Sequence, residues 1–122
     1  MSEHKLDVVV KAIKLMEYTM TITSNRKRYP MKYIQLIKRI QDECMKIYEL
    51  LMYANSVDIN KQKEERLEAQ KDVVLSCDRL SCYVELSMNL NIIGANTVEH
   101  WQKQISNVKY MTIGWREKDK RR

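Results

Sequence analysis

A chain of 122 residues with two glycines, one proline and no phenylalanine has room for one buried core and too few turn-formers for a sandwich or barrel of short strands. Its formal net charge of +6 points towards anionic partners. No uncharged apolar run approaches the roughly 18 residues of a membrane span, and Met1-Ser2-Glu3-His4-Lys5 is not followed by a secretory apolar core, so the expectation is one cytoplasmic all-α domain with no membrane association.

The first helix is expected over 5–23, with Ser2 as candidate cap and Leu6, Val9, Val10, Ile13, Met16 and Met20 along one face. Val8, Leu15 and Ile22 recur every seven residues off that face. The second helix opens at Pro30, which lacks the donor that a first turn cannot use, and runs to 55 with Tyr33, Ile37, Ile40, Cys44, Ile47, Leu51 and Ala54 on one stripe. Leu36, Met45 and Met52 lie off it. The off-stripe residues of both helices read either as a wide core face or as a lateral oligomer interface.

Asp58 or Asn60 is placed to cap a third helix over 61–92, whose stripe is Leu67, Val74, Cys77, Leu80, Val84 and Met88, with Gly94 supplying a left-handed stop. Asn96 and Glu99 resemble a capping box for a fourth helix over 97–117. There Val98, Trp101, Ile105, Val108, Thr112 and Trp115 alternate three and four apart. Short breaks favour antiparallel neighbours, so the architecture expected is an up-down-up-down four-helix bundle.

Little in the sequence suggests catalysis. His4 and His100 are the only histidines, neither preceded by Glu at three residues, and residues 91–99 hold no Arg to pair with His100. Gly94 and Gly114 cannot form a glycine-rich phosphate loop. Asp42 with Glu43, and Glu64 with Glu65, diverge on a helix and do not converge as acid and base. Cys44, Cys77 and Cys82 have neither disulfide nor zinc spacing and read as small apolar fillers. A non-enzymatic protein without metal or cofactor is expected.

The charge is concentrated. Residues 26–41 carry +6 with no acid, and residues 116–122 carry +3, while 42–60 carry −3. Arg26, Lys27, Arg28, Lys32, Lys38 and Arg39 form the first patch, a candidate phosphate-binding surface at one end of the bundle. Tyr29 and Tyr33 are candidate stacking platforms within it. Arg116, Lys118, Lys120, Arg121 and Arg122 form the second, read as a short, frayed basic tail at the opposite end. Both patches equally fit a solubilising surface.

Arg28-Tyr29-Pro30-Met31-Lys32-Tyr33, then Lys38-Arg39-Ile40-Gln41-Asp42, resembles the opening of the second helix in the accessory variability determinant (Avd) proteins of diversity-generating retroelements. Cys77-Asp78-Arg79-Leu80, Leu86 to Ile93 and Gly114-Trp115-Arg116 are similar to their third and fourth helices. The similarity is collinear over residues 5–117. It implies a bundle that assembles as a homopentamer with a positively charged surface and binds nucleic acid, the retroelement's template RNA being the expected class. It also implies partnership with a reverse transcriptase in mutagenic cDNA synthesis. Bundle proteins of intervening sequences in large-subunit ribosomal RNA genes share the fold and are the nearest alternative; a purely protein-binding adaptor is another.

Overall fold

The computed structural model describes residues 3–122, with side chains from Asp7 onward. Four helices follow one another: α1 (Glu3–Thr23), α2 (Ile34–Ser56), entered through a 3-10 turn at Met31–Tyr33, α3 (Lys63–Asn89) and α4 (Ala95–Lys120). Sequential helices pack against each other, α4 closes against α1, and the diagonal pairs make no close approach. The result is the expected all-α, antiparallel up-down-up-down bundle, with no strand among the described residues. No helix among the described residues is long and apolar enough to cross a membrane. The proposed Ser2 cap, His4 and Leu6 lie outside the described side chains.

Helices α2 and α4 bury the expected stripes. Ile37, Ile40, Cys44, Ile47, Leu51 and Ala54 are buried on α2, and Trp101, Ile105, Val108 and Thr112 on α4. The first helix buries a wider face than its expected stripe. Val8, Val9, Ala12, Leu15, Thr19 and Ile22 are buried, Ile13, Met16 and Met20 are half-buried, and Val10 is exposed. The sequence placed the core around Val9 and Ile13; Thr19 and Ala12, which a hydrophobic count ranks low, are what α4 needs. Thr19 leaves room for Trp101 and accepts a hydrogen bond from its indole nitrogen at 3.0 Å, and a buried indole N–H without an acceptor would cost about 1–3 kcal/mol. Val8, Leu15 and Ile22 are therefore core, and only Met45 and Met52 of the off-stripe set remain well exposed. On α3 the buried stripe sits one residue earlier than expected at its N-terminal end, through Arg66, Ala69, Gln70 and Val73.

The connections also differ in detail. Asn25 shapes the α1–α2 turn: its side-chain oxygen accepts from the Lys27 N–H at 3.0 Å, and its carbonyl from Arg28 and Tyr29. Asp58 likewise folds the α2–α3 turn on itself, accepting from Asn60, Lys61 and Gln62, and does not cap α3. The left-handed residue after α3 is Asn91 (φ 61°), not Gly94. Ile92 donates to Ser87 and Asn91 to Met88, the paired bonds of a Schellman stop, which Asn tolerates better than most residues. Gly94 instead caps α4 in extended conformation, so α4 starts before the Asn96–Glu99 pair, and no side chain caps it.

Candidate nucleic-acid interface

The α1–α2 turn and the α3–α4 turn share one end of the bundle, joined by the hydrogen bond from Arg28 to the Thr97 hydroxyl at 3.1 Å. Each end of an antiparallel bundle carries two helix N-termini and two C-termini, so helix dipoles largely offset and side-chain charge decides the local potential. Arg26, Lys27, Arg28 and Lys32 are all exposed there, and among the described residues none forms an ion pair with a carboxylate. Arg79, Lys109, Lys120 and Arg122 elsewhere do. The turn is anchored from beneath: Gln41 donates to the Thr23 hydroxyl at 2.9 Å, and Arg26 to the Thr23 and Tyr29 carbonyls at 2.9 and 3.3 Å. Arg26 thus spends one guanidinium nitrogen on the loop's shape, while Lys27 makes no side-chain contact.

The two tyrosines do not serve as stacking platforms in the expected way. Tyr29 is fully buried, and that burial raises the pKa of its phenol, offset in part by Ser87; it plugs the end of the core. Tyr33 is half-buried with the Lys32 ammonium 5.2 Å from its ring centre. The accessible aromatic pair is elsewhere: Tyr18 of α1 meets His100 of α4 edge to face at 4.9 Å. Burial raises the Tyr18 pKa, and the nearby Arg28 charge opposes the rise. Sequence reading missed this pair because Tyr18 and His100 belong to helices that become neighbours only on closure.

Lys38 and Arg39 are exposed but lie beyond the turn, on the body of α2. Arg39 borders a shallow recess of about 160 Å³ with Asp42, Glu43, Lys46 and Tyr83, so acids surround it and it does not join the end cluster.

The C-terminal patch is not a frayed tail. Helix α4 continues to Lys120, and Asp119 is completely buried. Its carboxylate accepts from Arg66 Nε at 2.7 Å, Arg66 Nη2 at 3.2 Å and Gln70 Nε2 at 2.7 Å. Arg66 also donates to the Val57 carbonyl and lies 5.0 Å from the Trp115 ring centre. The patch is largely committed to this end of the fold. Arg116 donates to the Leu67 carbonyl at 3.0 Å, Lys120 pairs with Glu117 and Arg122 with Asp119. Lys118 and Arg121 are left exposed without a partner.

Burial pushes the Cys44 thiol up to about 11 and the Cys77 thiol up to about 12, so both stay protonated fillers, and Cys82 is exposed. Among the described residues no three His, Cys, Asp or Glu side chains gather as a metal-holding group. A groove of about 470 Å³ between α2 and α3 is lined by Leu50, Tyr53 and the acids Glu64, Glu65, Glu68 and Asp72. That wall would repel a phosphate strand. Compared with known proteins, the chain matches no family model, no curated protein and no solved structure.

Proposed function

We propose that this protein is a non-enzymatic, cytoplasmic nucleic-acid-binding accessory factor that holds RNA at the end of the bundle formed by the α1–α2 turn. The carrying observation is that Arg26, Lys27, Arg28 and Lys32 crowd one end with no carboxylate among the described residues paired to any of them. Four unneutralised charges on one turn suit a polyanion, whose binding there releases condensed counterions. The resemblance of residues 5–117 to the Avd family supports a narrower reading. In it the protein assembles as a homopentamer that presents these charges in a ring and assists the reverse transcriptase of a diversity-generating retroelement. Exposed Met45, Met52 and Tyr53 on α2 favour a protein contact beside the nucleic-acid one, and they are what a purely protein-binding adaptor would use.

The test is RNA binding by Lys27→Glu/Arg28→Glu across a salt series, with helicity followed by circular dichroism. Wild type should bind at low salt with a steep salt dependence, and the variant should bind weakly with a flatter slope and unchanged helicity. RNA affinity unaltered by both reversals would remove the site; no RNA binding by wild type at low salt would remove the function. Light scattering with the absorbance ratio followed across the peak reads the assembly: a homopentamer carrying nucleic acid is expected, and a nucleic-acid-free monomer counts for the adaptor.

A further inference from the structure

The α1–α4 groove contains a recess that the end cluster does not include. It encloses about 240 Å³ and is lined by Lys11, Lys14, His100, Gln104 and Asn107, with no carboxylate among them. Neither lysine forms an ion pair among the described residues, although Asp7 and Glu17 lie within a turn of them on α1. The Gln104 side-chain nitrogen is buried there without an acceptor. A buried donor left unmet is costly, and a bound acceptor between two ammonium groups would relieve it.

We propose that this recess is a second phosphate-binding site, at which Lys11, Lys14 and the Gln104 amide hold a backbone phosphate of a single-stranded nucleic acid that starts on the basic end. The inference rests on the RNA-binding reading above and adds the strand's path. The path is set by the helices. Thr97, His100, Gln104 and Asn107 fall on one face of α4 at steps of three and four, and Arg28 sits on Thr97 at the head of that face. Next along the groove come Tyr18 and His100, in edge contact. Lys14 follows roughly 6 Å down the axis from Tyr18, and Lys11 roughly 4.5 Å beyond it, at 1.5 Å rise per residue. Cation, aromatic pair and cations therefore alternate as phosphate, base and phosphate do in a strand, and a half-exposed aromatic pair favours unstacked bases over a duplex.

The experiment compares wild type, Lys11→Ala/Lys14→Ala and Arg28→Glu/Lys32→Glu by fluorescence anisotropy with single-stranded RNA of about 5 and about 20 nucleotides, spanning the usual range of site sizes. Removing this phosphate contact should lower the salt slope for the long RNA by roughly 0.7, the value for one phosphate on a single strand. The short RNA, held at the end alone, should bind the lysine variant as well as wild type. The end variant should weaken both. An unchanged slope for long RNA in Lys11→Ala/Lys14→Ala, while the end variant still loses binding, overturns the groove site and leaves the RNA-binding reading standing. Loss with neither variant overturns both. In parallel, titration with the long RNA and with inorganic phosphate should shift the Gln104 side-chain amide and His100 ring signals in NMR spectra of wild type and not of the lysine variant. A shift with inorganic phosphate but none with RNA would make this a free-phosphate pocket and overturn the strand path.

Discussion

Replacing Asp119 by alanine should be among the most damaging single changes in the chain, although it falls three residues before the last position. Its carboxylate is 1% exposed and opposes an Arg66 side chain that is 2% exposed. Alanine strips Arg66 of two charge-assisted bonds and Gln70 of its acceptor, leaving a buried guanidinium with only the Val57 carbonyl and the Trp115 face. Breaking a buried pair from one side costs about 3–5 kcal/mol, because the surviving charge stays desolvated. With an unfolding entropy near 2.1 cal/mol/K per residue, a chain of 122 residues loses about 12–20 °C of Tm for that penalty. Thermal unfolding followed by circular dichroism reads it directly. Deleting residues 119–122 should give a similar fall, and Arg66→Met/Gln70→Leu/Asp119→Leu should recover most of it, since a well-packed apolar replacement removes the uncompensated charge. A drop below about 4 °C for Asp119→Ala, roughly 1 kcal/mol, would mean that Asp119 is solvated and that the chain end is the loose basic tail its composition suggests.

Three further outcomes follow from burial and backbone geometry. Stability should fall as pH rises above about 9: the unfolded chain ionises Cys44 and Cys77 near their ordinary pKa of 9.0, while the folded chain holds them protonated to about 11 and about 12. The unfolded state then binds fewer protons, so each thiol removes about 1.4 kcal/mol per pH unit within its window; urea midpoints at pH 8 and about pH 10 check this, and Cys44→Ala/Cys77→Ala should flatten the difference. In the native protein a thiol reagent should label only Cys82 rapidly, with Cys44 and Cys77 reacting at the rate of unfolding. Gly114→Ala should raise stability by about 0.5–1 kcal/mol, because Gly114 sits inside α4 with nothing within 4 Å of an added Cβ; a lower chemical-denaturation midpoint would contradict the helix assignment there.

Periodicity showed the helices because few glycines and prolines interrupt them, and it found the buried faces of α2 and α4, where β-branched and aromatic residues sit on the stripe itself. It caught Val9 and the half-buried Ile13 and Met16 of α1 but left out Ala12 and Thr19, which score poorly as core residues; Thr19 is needed in the core because it accepts the Trp101 indole N–H. The same bias shifted α3: Arg66 and Gln70 look like surface residues until Asp119, some fifty positions away, is folded against them. At the candidate site the sequence located the cations but not their commitments. Tyr29 fits either a stacking platform or an inward-packed aromatic in the sequence and is a core plug in the fold, while the Tyr18–His100 pair needs α1 and α4 side by side before it exists. Hydrogen bonds and burial between distant segments decide which charged residues are free, and residue order carries only a weak trace of them.

The acids have a place in the same reasoning. Glu64 and Glu65 open α3 at the end opposite the α1–α2 turn, about 25 residues of helix or roughly 38 Å from its far terminus, where they offset part of the positive charge that residues 116–122 bring to that end. By lowering the potential of that end they leave an approaching polyanion drawn towards the α1–α2 turn, but only where ions do not screen them. The screening length is about 30 Å at about 0.01 M salt and about 8 Å at about 0.15 M, so neutralising these acids should matter in the first case and not the second. Stopped-flow binding of RNA to Glu64→Gln/Glu65→Gln should therefore show an association rate changed relative to wild type at low salt and equal to it at physiological salt. An equal rate increase at both concentrations would place the RNA within a few ångströms of α3's first turn, and the strand would then be bound at the wrong end of the bundle for the α1–α2 cations to hold it.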